Sequence, residues 1–574
     1  MRHLARIVMA AVVTMAGFIL PVTALDVTQY GAVPDDGKDD TAAFLAAFRE
    51  AQARGDKLIS IPKGRYHLHA DGNPLRRNVL FPVTRTDGLT IRGQGAELMM
   101  SGIAAIFSFT ECQNITVEGL TVDWEHPAFS QGTVTAASPR QFDVQIEKGF
   151  PVQGGEPVGA FMSYDPATRR PDGGNLDVYD AVEKTELLSP QVLRVHLKRN
   201  VPVKVGTLLV LRHKVYGPGV FRFHRCADVR VSDVTVFTVP GMALTGGVCT
   251  NISLKRFNVL LRPDSGRMMS ATADATHFGG CKGTVTLEDC TFEGMGDDGV
   301  NVKSGLYLTV VERADDHTVL CRHNLKMADV PDPGDVLELS HPETLLPFAS
   351  SHVRTAALDA KAENLHRVKF VEALPAELRP GDVLGNASRT PRLRMRHCTV
   401  RANRARGVLC QTRDAVIEDC TFQYCTGPGV LVMTEITHFH ESIGTRNVTV
   451  RNNLFDNCNQ GAATAEAALA ALAWLKNNAY PPKPGVHREV TFEGNRITGS
   501  ANSAIFAVSV DGLTIRSNTI QQACLKPGNE KRRNAIRVMD CARAVIAGND
   551  IDPQKQGTGM SAPVLVTGTG FSKH

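Results

Sequence analysis

The sequence predicts an all-β protein: a right-handed parallel β-helix with two small antiparallel β-barrel modules inserted into it. Three observations lead to this fold class. An eight-residue pattern with apolar side chains at alternate positions recurs along the chain. Most neighbouring copies begin about 23 to 33 residues apart, which suits one coil of a solenoid. Two gaps, 122–229 and 305–393, are much longer and themselves alternate with period two, so each predicts an inserted β-module.

The repeated pattern predicts a short strand with one buried face in each coil. VTLEDCTF, VTVRNNLF and LTIRSNTI are three of its copies. A single coil cannot bury its inner face, so the coils must stack. The sixth position of the pattern is cysteine in three successive copies and asparagine in the next four: Cys290, Cys398, Cys420, Asn453, Asn495, Asn518 and Asn549. We expect these side chains to form ladders, and an occasional disulfide between neighbouring coils stays open.

The repeats and the two gaps divide the chain. The predicted boundaries are 1–24 for a signal peptide, 25–128 for an N-terminal cap and first coils, 129–216 for the first insert, 217–304 for coils that carry the catalytic carboxylates, 305–388 for the second insert, and 389–574 for the C-terminal coils. Asp39-Asp40-Thr41 and the spacing of Phe44 and Phe48 predict a helix that caps the open end of the β-helix.

Composition excludes several classes of protein. The chain has 574 residues, 63 basic and 59 acidic, with a net charge of +4, which argues against a strongly basic nucleic-acid binder and an acidic tail. A hydrophobic content of 43% excludes wholesale disorder. The 13 cysteines are spread along the chain without CxxC pairs, which disfavours a zinc ribbon or a disulfide-stapled small domain.

The first 24 residues are typical of a secretory leader. Arg2 and Arg6 precede the apolar stretch 7–22, and Val22-Thr23-Ala24 is a cleavage motif before Leu25. We therefore expect an exported protein, periplasmic or extracellular, that has no membrane segment after cleavage; a retained membrane anchor is the alternative. The Ala-rich stretch 462–475 carries Glu466 and predicts a surface helix.

Carboxylates from successive coils are predicted to stack. Aligning the second strand of four coils puts Asp274, Asp298, Arg406 and Pro428 at one equivalent position. Neighbouring strands lie about 4.8 Å apart, and Asp297 joins the patch where the chain turns between Gly296 and Gly299. Like charges this close raise at least one pKa, which gives the protonated acid and ionised base that glycoside hydrolysis needs. Asp-Gly pairs that merely form turns, and a calcium site, are the alternatives.

Polar residues around this patch are candidates for binding a sugar. His277 and Asn301 occupy matching positions one coil apart, Arg406 can hold a carboxylate or a hydroxyl, and Lys303 follows on the same strand as Asn301. A second group follows the next strand: Glu435, His438 and Glu441 in TEITHFHESIG. The H-x-H pair there leaves a zinc site open, although no third ligand stands at a recognisable spacing.

At these residues the sequence resembles glycoside hydrolase family 110, the exported α-1,3-galactosidases. The resemblance rests on RMMSATADATHFGGCKG and LEDCTFEGMGDDGVNV, and extends to LRHKVYGPGVFRFHRC, PGMALTG, HESIG and RNNLFDNCNQG. It implies a pectate-lyase-like solenoid with two β-barrel inserts, and inverting removal of terminal α-1,3-linked galactose, as in the blood group B antigen. It also implies that Asp297 is the general acid, and that Asp274 and Asp298 hold the nucleophilic water. Where the family often has a Trp-like residue before this motif, the chain reads HFHESIG, a difference expected to affect substrate contacts.

Two other functions stay open on the sequence alone. A polygalacturonase-like hydrolase or a calcium-dependent pectate lyase uses the same fold, although the chain shows no dense basic run for a uronate. A glycan-binding or adhesive solenoid is the alternative without catalysis. We expect no cofactor, no metal and no nucleic acid; the expected partner is an α-galactosyl oligosaccharide or glycoconjugate, and a homodimer is the candidate assembly.

Overall fold

Alternating apolar residues place two long parallel sheets around one continuous core. The computed structural model describes residues 24–568 except 72–77, 174–175, 326–329, 360–364, 461–465, 527–533, 553–555, 558–559 and 561. The predicted leader therefore lies outside the described residues, apart from Ala24. Within the described ranges, no helix has the length and apolar character that crossing a bilayer requires.

The larger parallel sheet contains 21 strands. They are β1 (Leu25–Asp26), β2 (Leu58–Ser60), β3 (Gly64–His69), β5 (Thr90–Ser101), β7 (Thr116–Trp124), β16 (Ala227–Val236), β18 (Thr250–Val259), β20 (Lys282–Glu288), β21 (Thr291–Glu293), β30 (Arg392–Arg396), β31 (Thr399–Arg401), β33 (Arg413–Glu418), β34 (Thr421–Gln423), β37 (Arg446–Arg451), β38 (Leu454–Asp456), β40 (His487–Glu493), β41 (Arg496–Ile497), β43 (Val510–Arg516), β44 (Thr519–Ile520), β46 (Val545–Ala547) and β47 (Asp550–Ile551). The eight-residue patterns lie on this sheet.

The second parallel sheet contains 12 strands, one from each coil. They are β4 (Val79–Thr84), β6 (Ala105–Thr110), β15 (Phe221–His224), β17 (Leu244–Gly247), β19 (Thr276–Gly279), β22 (Val300–Lys303), β32 (Val408–Gln411), β35 (Val430–Glu435), β39 (Ala467–Trp474), β42 (Ser503–Val508), β45 (Ile536–Met539) and β48 (Val564–Thr567). Val300 and Val302 point into the core between the sheets, so Asn301 and Lys303 lie on the opposite, outer face of their strand. This outer face carries the candidate site.

The polar ladder confirms the predicted stacking of coils. The backbone N–H of Cys420 donates to Asn453 Oδ1 at 2.9 Å. Side-chain amides then donate in series, from Asn453 to Asn495 at 3.0 Å, from Asn495 to Asn518 at 3.0 Å and from Asn518 to Asn549 at 2.9 Å. The ladder thus satisfies polar groups inside the core, where an unpaired one is costly. All 13 cysteines are buried and none forms a disulfide.

The helix α1 (Thr41–Arg54) covers the N-terminal end of the β-helix, as the sequence predicts. Asp39 Oδ1 accepts the backbone N–H of Thr41 at 2.9 Å, and Gly55 ends the helix in the left-handed conformation with φ of 72°. Phe48 stacks on Phe81 with ring centroids 4.4 Å apart. Two 3-10 turns, Val27–Tyr30 and Lys476–Asn478, complete the helical segments among the described residues.

The predicted surface helix in the Ala-rich stretch is wrong. The part of it that the structure describes contains β39, a strand whose residues are almost entirely buried. Alanine favours helix in isolation, but β39 pairs with β35 on one side and β42 on the other. Pairing within the sheet therefore overrides local propensity here.

The first insert is a seven-stranded antiparallel sheet. Its strands are β8 (Phe129–Ser138), β9 (Gln141–Ile146), β10 (Ala160–Tyr164), β11 (Asp177–Tyr179), β12 (Val182–Ser189), β13 (Val192–Leu197) and β14 (Leu208–Arg212). Their order, β11-β10-β14-β8-β9-β13-β12, leaves β11 and β12 as edges among the described residues, so the β-barrel predicted for this insert is wrong: its edge strands do not pair with each other. The insert has its own apolar core, to which Met268 and Met269 of the β-helix contribute.

The second insert is a closed ring of six antiparallel strands. They are β24 (Leu308–Arg313), β25 (Thr318–His323), β26 (Val336–Ser340), β27 (Pro347–Leu358), β28 (Leu365–Phe370) and β29 (Val383–Asn386). A short strand at its root, β23 (Gly305–Leu306), pairs with β36 (Glu441–Ser442) in the loop after β35. This pairing fixes the second insert against the outer face of the 12-stranded sheet.

Candidate active site

Backbone hydrogen bonds confirm that four predicted positions stack. The N–H of Ala275 donates to the carbonyl of Asp298 at 3.0 Å, that of Gly299 to Arg406 at 3.0 Å, and that of Gly407 to Pro428 at 3.0 Å. The strands that follow continue the same register, with His277 opposite Asn301. Asp274 and Asp298 therefore lie one strand spacing apart, each immediately before a strand of the 12-stranded sheet.

The turn that carries Asp297 and Asp298 depends on two glycines. A Cβ atom on Gly296 would come within 2.5 Å of the Thr272 carbonyl oxygen, and one on Gly299 within 2.5 Å of Val400. Neither glycine has a positive φ. Close approach of the backbone, rather than a left-handed conformation, therefore requires glycine on both sides of the aspartate pair.

Asp274, Asp297 and Asp298 form one buried cluster, which we call the carboxylate trio. One oxygen from each lies within 4.8 Å of the others. The exposed fractions of Asp274, Asp297 and Asp298 are 3%, 7% and 1%. The cluster predicted from the sequence is thus present, and Asp297 is its most accessible member.

Cationic side chains hold two members of the trio. Arg404 donates to Asp297 Oδ1 at 2.7 Å, and the Tyr216 hydroxyl donates to Asp297 Oδ2 at 3.0 Å. Arg406 donates to Asp298 twice, from its backbone N–H to Oδ1 at 3.0 Å and from its guanidinium to Oδ2 at 2.8 Å. These contacts fix the orientation of both carboxylates.

The trio contains pKa shifts of opposite direction. Burial raises the pKa of Asp298 to about 8; Asp297 and Asp274 add to this rise, while Arg406 opposes it. Burial and then the charge of Asp297 raise the pKa of Asp274 well above its usual value. Burial also acts to raise the pKa of Asp297, but Arg404, Arg406 and Arg212 hold it below the usual value. At neutral pH the trio therefore combines an ionised Asp297 with a protonated Asp298.

His277 contacts the trio as a neutral imidazole. Its Nδ1 lies 2.7 Å from Asp274 Oδ2, and burial lowers the pKa of His277 to about 3. Asn301 Nδ2 lies 3.5 Å from Asp298 Oδ2. The remaining oxygen of Asn301 and Nε of Arg406 are buried and have no hydrogen-bond partner among the described residues. Their hydrogen-bonding capacity is thus not satisfied by the protein itself.

The second predicted group of sugar-binding residues divides into two. Glu441 belongs beside the trio: Lys303 donates to Glu441 Oε1 at 2.7 Å, and Gln411 to Oε2 at 3.2 Å. Although burial opposes it, Lys303 lowers the pKa of Glu441. Glu435 instead accepts four backbone N–H groups, from Thr437, His438, Phe439 and Glu441, so it shapes the loop. The ring of His438 packs on Phe439, with centroids 4.3 Å apart.

Sequence reasoning missed the contribution of the first insert. Tyr216 follows its last strand, and Asp177 in β11 accepts a hydrogen bond from Arg404 at 2.9 Å. Buried Arg212 donates to the carbonyls of Thr272 at 3.2 Å and Gly296 at 3.0 Å, which joins the insert to the turn before Asp297. The period-two alternation carries no signal for these contacts, because they join segments that are distant in the chain. The quoted motif LRHKVYGPGVFRFHRC contains Arg212 and Tyr216 and was the available signal.

A cavity of about 310 Å³ adjoins the trio. His277 and Lys303 line it, but the three aspartates do not. Its floor is the outer face of β15, β17 and β19, where Gly247 and Gly279 stand in register and leave room. Leu308, Leu337 and Leu384 of the second insert form an apolar wall. The cavity therefore lies between the β-helix and the second insert.

The site is better suited to a sugar than to a metal ion. Calcium uses six to eight oxygen ligands. In the trio, guanidinium groups already hold two of the three carboxylates. Among the described residues, His438 and His440 do not group with a third metal-ligating side chain. The calcium and zinc alternatives at these positions are thus disfavoured by the chemistry of the neighbours.

Comparison with known proteins agrees with the fold and with the resemblance. Residues 383–480 match the family model described as "Right handed beta helix region". The chain is homologous to alpha-1,3-galactosidases. It is 27% identical to alpha-1,3-galactosidase B of Phocaeicola vulgatus over 92% of this chain and 95% of that protein, and 27% identical to alpha-1,3-galactosidase A of Bacteroides fragilis over 91% of each. The resemblance stated from the motifs is confirmed.

Two solved structures are similar at low sequence identity. The Agl-KA catalytic domain has a TM-score of 0.47 at 12% identity, with 95% of this chain and 69% of that chain covered. The family 28 exopolygalacturonase of Yersinia enterocolitica has a TM-score of 0.44 at 11% identity, with 95% of this chain and 78% of that chain covered.

Proposed function

We propose that the protein is an exo-acting glycoside hydrolase that removes terminal α-1,3-linked galactose, with inversion, from blood group B-type or linear α-galactosyl glycans. The carboxylate trio is the observation that carries the proposal, because it places an ionised and a protonated carboxyl group within 4.8 Å of each other. The homologues are alpha-1,3-galactosidases, which supports the choice of sugar and linkage.

Asp297 is the proposed general acid, and Asp274 with Asp298 activates water. Asp297 is the most exposed of the trio and adjoins Tyr216 at the rim. In the free protein a proton rests on Asp298, since its pKa is raised to about 8 while that of Asp297 is lowered; the pKa of Asp274 is raised as well. A proton passed from Asp298 to Asp297 on substrate binding produces the required pair: an acid at the glycosidic oxygen and a base at the water.

The remaining polar residues are proposed to bind the galactosyl group. His277, Asn301 and Arg406 surround the trio, and Lys303 with Glu441 forms the neighbouring ion pair. Glu435 and His438 act through the loop that positions Glu441. The 310 Å³ cavity is the proposed location of the rest of the glycan, since it opens from His277 and Lys303.

Product analysis tests both the substrate and the stereochemistry. We expect release of β-galactose from linear α-1,3-digalactoside or blood group B trisaccharide, followed by proton NMR from the first minutes, and no release from polygalacturonate. Inverting enzymes typically keep their two carboxyl groups about 6.5–9.5 Å apart. The carboxyl groups of the trio lie closer together than this, so the anomeric form of the first product decides between inversion and retention. Release of α-galactose as the first product would exclude inversion.

Substitution of Asp297 and of Asp298 tests their separate roles. An acid is needed chiefly for a poor leaving group, so Asp297→Asn should lower kcat/KM on the disaccharide by about 10²–10⁴-fold but much less on a 4-nitrophenyl α-galactoside. Asp298→Asn should impair both substrates equally. Asp289→Asn, on the outer turn of the same coil, is the control and should leave both rates unchanged. The opposite pattern would give the acid role to Asp298.

Export is part of the proposal. We propose that residues 1–24 direct export and are removed, with periplasm and medium as the two destinations. Expression with the native leader should yield a mature chain that begins at Leu25, as read by N-terminal sequencing. A retained Met1 in the exported fraction would contradict cleavage. Light scattering on the same material decides between a monomer and the proposed homodimer.

A further inference from the structure

A second cluster of metal-ligating side chains lies outside the candidate active site. His67 and His69 on β3 and Glu125, the residue after β7, each offer one ligand atom within 4.8 Å of the others. In the alternating pattern of β3, Tyr66 and Leu68 are buried in the core, whereas His67 and His69 point to the outer face. The i, i+2 spacing thus puts both imidazoles on one side of the strand.

Glu125 reaches the same place across an intervening strand. His67 is in register with Met99 of β5, and Met100 of β5 is in register with Trp124 of β7. The backbone N–H of Glu125 continues the ladder by donating to the Met100 carbonyl at 2.9 Å. The Glu125 side chain extends back across β5 toward β3, so that Glu125 Oε1 lies 2.7 Å from His67 Nδ1. The three side chains are held by three paired strands and not by a loose loop.

Charge and access favour a cation at this cluster. Glu125 forms an ion pair with His67, and no lysine or arginine in the described ranges pairs with it. A second carboxylate lies beside the cluster, since Asp40 Oδ2 accepts the backbone N–H of His67 at 3.1 Å. The side chains of His67 and Glu125 are 20% and 29% exposed, so an ion can reach them from solvent.

We propose that His67, His69 and Glu125 bind one zinc ion. Two imidazole nitrogens and one carboxylate are a common protein ligand set for Zn²⁺, with water as a fourth ligand. Ligands about 2.05 Å from a tetrahedral ion are about 3.3 Å apart, so ligand atoms within 4.8 Å need only small side-chain rotations to close on it. The ion would join β3 to the point where the chain leaves the β-helix, four residues before Phe129 begins the first insert. Its role there is to fix that junction.

Metal binding to the purified full-length chain tests this site. After EDTA treatment and desalting, titration with zinc chloride should give one ion per chain by calorimetry and by elemental analysis after dialysis. Cobalt(II) should give visible absorption bands typical of nitrogen and oxygen ligation at the same stoichiometry. Zinc should also raise the Tm. A chain that takes up no zinc would overturn the proposal.

Three variants locate the ion. His67→Gln and His69→Gln should weaken binding by more than the roughly 10–100-fold that loss of an outer-shell partner costs. Glu125→Gln, which keeps the shape of the side chain, should do the same and covers the case that a histidine variant is unstable. His352→Gln is the matched control, because His352 forms a 2.7 Å pair with Glu372 outside any cluster of three metal-ligating groups among the described residues.

The same titration separates this site from the carboxylate trio. Asp274→Asn should leave the zinc stoichiometry at one, since it does not touch the histidine cluster. Binding that survives in His67→Gln, His69→Gln and Glu125→Gln but disappears in Asp274→Asn would place the metal at the trio and refute the proposed site. None of these readouts requires galactosidase activity.

Discussion

Asp297 is held from two sides by residues that belong to different parts of the chain. Arg404 comes from a coil that follows the second insert, and Tyr216 comes from the end of the first insert. Tyr216 as a whole residue is 60% exposed although its hydroxyl reaches the carboxylate. This tyrosine therefore combines a hydrogen bond to the trio with an aromatic face open to a sugar.

Two substitutions at Tyr216 should separate these roles. Tyr216→Phe removes a hydrogen bond to the Asp297 carboxylate that forms as the acid gives up its proton, and should lower kcat about tenfold, because such a bond contributes about 1.5 kcal/mol or more. Tyr216→Ala should lower kcat similarly and also raise KM, since the aromatic face is lost. Steady-state kinetics on the α-1,3-digalactoside measures both. Equal KM in the two variants would remove the ring from substrate binding, and Tyr30→Phe in the N-terminal cap is the control.

Single residues of the site were predictable where the repeat determines their position. Asp274, Asp298 and Arg406 were located because each precedes an aligned strand, so a register argument sufficed. Tyr216 and Asp177 have no such alignment: the contact of Tyr216 with Asp297, and that of Asp177 with Arg404, depend on how the first insert packs. Glu435 was expected to bind sugar, but its carboxylate is engaged by four backbone N–H groups of its own loop, a role that sequence spacing does not distinguish.

At the scale of elements, the asparagine ladder stabilises the C-terminal coils. Asn495→Ala should lower the free energy of unfolding by on the order of 3 kcal/mol or more, because Asn453, Asn518 and the Val450 carbonyl each lose a buried partner. Asn549→Ala at the end of the ladder should have a smaller effect, since that residue is partly exposed and water can replace the amide. Urea denaturation compares the two. Equal losses of unfolding free energy in the two variants would show that a central position of the ladder contributes no more than its end.

A buried histidine between coils should make stability depend on pH. His487 Nδ1 lies 2.9 Å from Thr445 Oγ1, and His487 Nε2 lies 2.8 Å from the Leu472 carbonyl oxygen. Burial lowers the pKa of His487 to about 4 from 6.5, so between these values the unfolded chain binds the extra proton. The stability is therefore complete above pH 6.5 and is lost as the pH falls toward 4.

The expected loss from His487 is about 2 kcal/mol between pH 7 and pH 4.5. His487→Gln should therefore lower the Tm at pH 7, while its Tm should fall less than that of the parent chain on going to pH 4.5. Calorimetry at the two pH values measures this difference. The variant His196→Gln, on the surface of the first insert, should keep the parent's pH dependence. An unchanged dependence in His487→Gln would show that other groups dominate acid unfolding.

Most elements could be predicted because period two and the coil length are visible in the chain. β39 was mistaken for a helix since its alanines carry no strand signal, and only pairing with β35 and β42 defines it. The two inserts were recognised as antiparallel from alternation and turns. Whether such strands close on themselves depends on the pairing of their edges, which differs between the open first sheet and the ring of the second.

At the scale of the whole molecule, the site is assembled from parts that interrupt one another in sequence. The trio stands on two adjacent coils, yet 108 residues separate Asp298 from the Arg406 that holds it. The second insert occupies most of that interval and returns the chain in register, as β22 pairs directly with β32. Both inserts can therefore border the site without disturbing the stack of coils that fixes its carboxylates.

The thirteen buried cysteines form no disulfide, and this has a consequence for redox behaviour. A solenoid held by side-chain stacking does not rely on an oxidant for its cross-links, so dithiothreitol should leave its Tm unchanged. A thiol-specific reagent should modify no cysteine in the folded protein and all thirteen after unfolding in guanidinium. Modification of the folded chain would contradict their burial. The protein should then be equally stable in reducing and oxidising surroundings, and its thiols can serve as an internal reporter of unfolding.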